Sequence, residues 1–247
     1  MDSKLKDGFL SLWKKYFNNA ELPVTFYYTD NPDEGIIVKP GSVSRCIIGA
    51  LQKVRKGASM AFSVDAVGCP GGRRYLGFSP GLMPNFEYFL SCGMEGLEGE
   101  RYKKTPELVR HAMNEWPKFD APAKYIVFKR WDNMEEADTP DVAVFFAQPD
   151  VLAGLFTLAS FDEYHSEMTM APFGSGCSSI VQYPFLESRT ETPRTVIGMF
   201  DISARPFVPP DRLSFSVPMK KLARMVADAE ESFLITSSWQ AVQKRIK

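Results

Sequence analysis

A chain of 247 residues is long enough to bury a core of ordinary size, and 45% hydrophobic with 13% aromatic residues is the make-up of a soluble globular protein, which excludes a disordered chain. Its 29 Lys and Arg are offset by 30 Asp and Glu and scattered along the sequence, so no basic stripe is on offer to a nucleic-acid backbone. No apolar run approaches the roughly 18–20 residues that cross a bilayer, and the opening Met1-Asp2-Ser3-Lys4-Leu5-Lys6 has no apolar signal segment, so the expectation is a cytoplasmic protein with neither a nucleic-acid nor a membrane partner.

Leu5, Phe9, Leu12, Trp13 and Tyr16 recur at helical spacing and predict a helix over 4–17, followed by a strand over 23–28. After the turn-rich segment 29–35, Ser42 or Ser44 is placed to cap a helix that carries Cys46 in about its first turn and runs through Lys56, where Gly57 ends it. A strand is expected over 59–64, a helix over 69–76 opened by a glycine loop, a short aromatic helix over 85–92, and a helix from Thr105-Pro106-Glu107 toward Trp116. Beyond Pro122, strands over 124–128 and 141–147 precede a helix over 149–159, and 166–171 reads as extended. Residues 177–183 form the helix of a second glycine loop, with Pro184 as its stop. Strands over 195–200 and 213–217 lead into helices over 219–231 and 238–246, and the acidic run 132–138 reads as a solvated loop. This mixture predicts an α/β or α+β fold, one domain over residues 1–247 with a mixed β-sheet flanked by helices.

Two short segments carry the chemistry. Gly68-Cys69-Pro70-Gly71-Gly72-Arg73-Arg74 and Gly174-Ser175-Gly176-Cys177-Ser178-Ser179 each set a cysteine among glycines at an expected helix start. Backbone N–H groups and partial positive charge at such an end favour a thiolate and stabilise an anion. Gly71 and Gly72 permit close backbone approach, Ser175, Ser178 and Ser179 supply hydroxyls, and Arg45, Arg73 and Arg74 supply guanidinium forks for a carboxylate or phosphate. The leading reading is a pocket for a small anionic ligand or cofactor built from Arg45, Cys46, Cys69, Gly71, Gly72, Arg73, Gly176, Cys177 and Ser178. No nucleotide-binding glycine fingerprint is present, so the ligand class stays open.

Cys46, Cys69, Cys92 and Cys177 lie far apart in a chain that needs no disulfide staples, and reduced thiols are expected. Gathered together, Cys46, Cys69 and Cys177 could hold an iron–sulfur cluster or another metal in a redox protein, although no Cys-x-x-Cys pair marks such a site and His111 and His165 lack partners at ligand spacing. The other alternative is a thiol-dependent enzyme with Cys69 or Cys177 as the nucleophile, activated by its helix start and an arginine. Cys92, within Phe86-Glu87-Tyr88-Phe89-Leu90-Ser91-Cys92, reads as core.

The order of these features is Arg45-Cys46 on a helix, a strand, Gly68-Cys69-Pro70-Gly71-Gly72, then Gly176-Cys177 followed by Tyr183-Pro184-Phe185. It resembles the uncharacterised ArCR family of prokaryotic proteins over most of the chain. The resemblance implies a single domain of this size in which Cys46, Cys69, Pro70, Gly71, Gly72, Cys177, Tyr183 and Pro184 are family positions. No settled activity comes with the family, so what it implies is the place of a site and not its reaction. One position departs from the pattern: the family commonly carries a further Gly-Cys near a carboxy-terminal strand, where Gly198 is here followed by Met199, and that weakens a four-cysteine cluster.

Overall fold

A computed structural model describes residues 1–39 and 46–246; Ser42, Ser44 and Arg45 therefore lie outside the described residues. Strands β1 (Val24–Thr29), β2 (Ile36–Ile37), β3 (Met60–Phe62), β4 (Tyr125–Arg130), β5 (Val142–Ala147), β6 (Thr169–Met170), β7 (Thr195–Gly198) and β8 (Leu213–Pro218) form one open mixed sheet. Their order is β2-β3-β4-β1-β5-β8-β7-β6. The outermost pairs, β2 with β3 and β6 with β7, are parallel, and the pairs between them are antiparallel.

Alternation along the central strands decides where the helices go. In β5, Val142, Val144 and Phe146 point into one apolar cluster while Ala143, Phe145 and Ala147 point into another, so the whole run is buried. The second cluster is closed by α1 (Ser3–Phe17), α6 (Pro149–Ala159), α8 (Met219–Asp228) and α9 (Ser237–Gln243), with Trp13 tilted against Phe145 at a centroid distance of 5.3 Å. The first is closed by α2 (Ile47–Arg55), α3 (Pro70–Tyr75) and α7 (Tyr183–Ser188). This is the α/β arrangement expected, with helices on both faces of the sheet. Among the described residues no helix is long and apolar enough to cross a membrane.

Pro184 does not stop the helix that follows the second glycine loop. Residues Ser178–Gln182 form a wide π turn that runs directly into α7, and Pro184 sits in the first turn of α7, where its missing N–H costs little. A second difference is the chain between α3 and β4. Residues 78–120 leave the sheet as an excursion carrying α4 (Phe86–Phe89) and α5 (Pro106–Glu115), packed around Phe86, Leu90 and Val109. Its base is pinched shut: the Ala121 N–H donates to the Gly77 carbonyl at 2.8 Å, and Gly77 has φ +76° with so little room that a Cβ there would lie 2.6 Å from the Ala121 nitrogen. Cys92 follows α4 and is exposed, its thiol against the Gly93 carbonyl, because Phe86 and Leu90 already fill the small core.

The acidic run 132–138 is not wholly solvated either. Asp138 is only 2% exposed and accepts from Lys129 Nζ at 2.7 and 3.0 Å, from the Glu135 N–H at 2.6 Å and from the Tyr27 hydroxyl. Burial by itself would raise the carboxyl pKa, but these donors outweigh it and hold it below the ordinary 3.8. Its stabilising contribution is therefore present at neutral pH and is lost as pH falls through that depressed value. Asp138→Asn strands the buried Lys129 ammonium and should cost about 3–5 kcal/mol at pH 7. Urea denaturation should show the gap between wild type and variant narrowing below pH 3.8; a pH-independent gap contradicts this account.

Candidate functional site

Each of three cysteines lies at or just inside the start of a helical segment, Cys177 being one residue into a turn that Ser175 caps. Cys46 precedes α2, Cys69 precedes α3, and Cys177 precedes the π turn. All three segments pack on the same face of the sheet, and the cysteines meet at one wall of a single cavity of about 360 Å³. Gly71, Gly72 and Gly176 belong to that wall as well. Cys69 Sγ accepts the Gly72 N–H at 3.5 Å and so caps its own helix.

The glycines differ in what they do. A Cβ on Gly72 would meet Val67 Cγ1 at 2.9 Å, and one on Gly176 would press on Ala204 Cβ and Met199 Sδ at 3.1 Å each; both are places where neighbours come close to bare backbone. A Cβ on Gly71 meets only ordinary contacts, the nearest at 3.6 Å on Tyr75. Met199, the residue after Gly198, is fully buried with φ +66° and donates its N–H to Ser179 Oγ at 3.3 Å. It thus packs against the second glycine loop.

The outer wall was not legible as a site in the sequence. It comes from the excursion, through Leu82, Met83, Phe86, Phe89, Tyr102 and Trp116, while Phe173, Phe200 and Ile202 are half exposed or more around the lining. The aromatic run 86–92 marks this region in the sequence, but there it reads only as core. Charge enters through Glu100 and Asp201; among the described lining residues there is no Lys, Arg or His. Asp201 ties two loops together, Oδ2 accepting the Gly176 N–H at 3.0 Å and Oδ1 accepting the Ser203 N–H at 3.0 Å and its hydroxyl at 2.7 Å. The Ser203 N–H also donates to the Tyr102 hydroxyl at 3.0 Å.

Several expected members are elsewhere. Arg73 Nε donates to the Val67 carbonyl at 2.6 Å and Arg74 Nη1 to the Pro80 carbonyl at 2.6 Å, so both guanidiniums serve loop carbonyls and neither lines the cavity. Ser178 is buried behind the wall, its hydroxyl bonded to the Ser175 carbonyl at 2.8 Å. Arg45 lies outside the described residues. Neither His111 nor His165 reaches the lining. Among the described residues, no three Cys, His, Asp or Glu side chains are grouped closely enough to hold a metal ion, so Cys46, Cys69 and Cys177 share a cavity without forming a ligand set for a cluster.

Two of the thiols, Cys46 and Cys177, are not the thiolates that a helix start favours. Burial pushes Cys46 up, the nearby Ile48 and Gly49 amides offset this only in part, and Cys69 and Asp201 add to the rise. Cys177 is pushed well above the ordinary thiol value, first by burial and then by Cys46, Cys69 and Asp201. Cys177 is therefore protonated at neutral pH and lacks the activation a nucleophilic thiol needs.

Residues 14–228 match the sequence profile of a family described as uncharacterised ArCR. The chain belongs to the ArCR family. The matched span contains all eight strands and all the residues that line the cavity. No curated protein and no solved structure matches it.

Thiol labelling of the native protein at pH 7 should modify Cys92 first and leave Cys177 untouched until unfolding, read by peptide mass spectrometry; equal rates contradict the burial account. The two neighbouring glycines should also separate. Gly72→Ala is expected to lose about 1–3 kcal/mol through overpacking against Val67, and Gly71→Ala to stay within about 0.5 kcal/mol of wild type by urea denaturation.

Proposed function

We propose that this ArCR protein binds a small, largely apolar molecule in the cavity between the cysteine wall and the excursion. One observation carries the reading: a partly open cavity of about 360 Å³ is walled on one side by backbone and thiols and on the other by aromatic and aliphatic side chains. That volume is within the range of about 300–1,000 Å³ usual for small-molecule sites, which are mostly apolar with a few placed polar groups. The half-exposed Phe173, Phe200 and Ile202 add apolar surface that water covers at a cost and a ligand would cover with gain. The protonated Cys46 and Cys177 suit such a wall, since an uncharged sulfhydryl behaves as a small hydrophobe.

Anion recognition through guanidinium forks draws no support from a lining whose described charges are carboxylates.

Native mass spectrometry of gently purified protein should show a small molecule carried in stoichiometric amount. Gly71→Val, which fills the wall where a side chain is sterically tolerated, should lose that molecule while keeping the far-ultraviolet circular dichroism of wild type. Retention of the molecule in a folded Gly71→Val protein would falsify the reading.

A further inference from the structure

We propose that the ligand is an organic cation, an ammonium group carrying apolar or aromatic substituents, held where aromatic faces and the Asp201 and Glu100 carboxylates line the same cavity. The inference rests on the reading of this cavity as a ligand site. Tyr102 and Phe173 meet edge to face at 6.5 Å, and Phe86 and Trp116 do so at 6.2 Å, so rings in the walls turn their faces in different directions. Aromatic faces carry negative charge density and attract ammonium groups, most strongly when water is excluded.

Asp201 adds a full charge. The hydrogen bonds it accepts from Gly176 and Ser203 come from neutral groups, which orient the carboxylate without cancelling it. Its field reaches the walls on both sides, raising the pKa of Cys46, Cys177 and Tyr102 after the larger effect of burial. Beside Asp201 that field favours a cation over an anion. The chain already contains an instance of the proposed contact: Lys103 lays its ammonium 4.4 Å from the centroid of Phe173, one of the lining rings.

A matched pair separates charge from fit, benzyltrimethylammonium and its neutral isostere neopentylbenzene, with the smaller phenylacetate as an aromatic anion, each titrated into the full chain and followed by NMR shifts of the tryptophan side chains. The cation should bind about tenfold more tightly than the neutral isostere, the order expected for one partly buried charge partner, and phenylacetate should bind most weakly. Asp201→Asn should weaken the cation about tenfold more than it weakens the neutral probe. Because Asp201 also joins two loops, Glu100→Gln at an exposed position is the second variant, expected to cost the cation about twofold. Lys103→Met removes a competing ammonium and should raise affinity for the cation only. Neopentylbenzene binding as tightly as the cation, or phenylacetate binding more tightly, overturns the cation inference and leaves the ligand site standing. Failure of all three to bind overturns the inference, and if Gly71→Val then also keeps its co-purified molecule, the ligand site falls with it.

Discussion

Both faces of the central strands must be covered at once, and the placement of the cavity follows from that requirement. β5 sends alternate side chains into two separate clusters, so helices have to pack on either side of it. One side is closed completely by α1, α6, α8 and α9, whose aromatic residues fill it. On the other side α2, α3 and α7 are short, and β8 turns Ser214 and Ser216 toward the π turn, with Ser216 Oγ donating to the Ser179 carbonyl at 3.3 Å. Short helices leave their starting ends close together above the sheet. Three such ends, each with a cysteine in or at its first turn, make the inner wall.

The fate of those cysteines depends on which of two effects is larger. A helix terminus contributes about 0.3–1 kcal/mol to a nearby charge, under one pKa unit by the conversion of about 1.36 kcal/mol per unit. Full burial of an ionisable group shifts it by up to about 3–5 units. For Cys177, only 7% exposed and wrapped by apolar neighbours, burial wins and the sulfur stays protonated. The same comparison explains Asp138 in the opposite sense, because there several donors point at one carboxylate and together exceed the burial effect.

Much of the fold is legible in the residues. Alternating and helical spacing locate α1, β1, β5, α6 and β8 to within a residue or two, and Thr105-Pro106 marks the start of α5 through a side-chain cap and a proline at the first helical position. β2 escapes because two residues with exposed side chains show no period. Pro184 misleads because a proline reads alike as a stop and as a first-turn residue, and only the unusual π turn before it decides. Of the site, the cysteine wall is readable because glycine–cysteine loops announce helix starts. The aromatic wall is not, since Phe86 or Trp116 in a sequence carries no sign of whether it faces a core or a hollow. Arg73 and Arg74 mislead for a related reason: a guanidinium satisfies a loop carbonyl as readily as a ligand.

The pinch between Gly77 and Ala121 makes the protein modular in a way its single sheet conceals. What lies beyond the pinch has its own small core and supplies one whole side of the cavity, while the sheet and the sulfur-bearing ends supply the other. Substitutions in the 78–120 loop can therefore reshape the chamber without disturbing strand pairing, much as a lens is exchanged on a fixed camera body. Variation in the shape of that chamber can then accumulate in one replaceable stretch, and the scaffold is free to stay as it is.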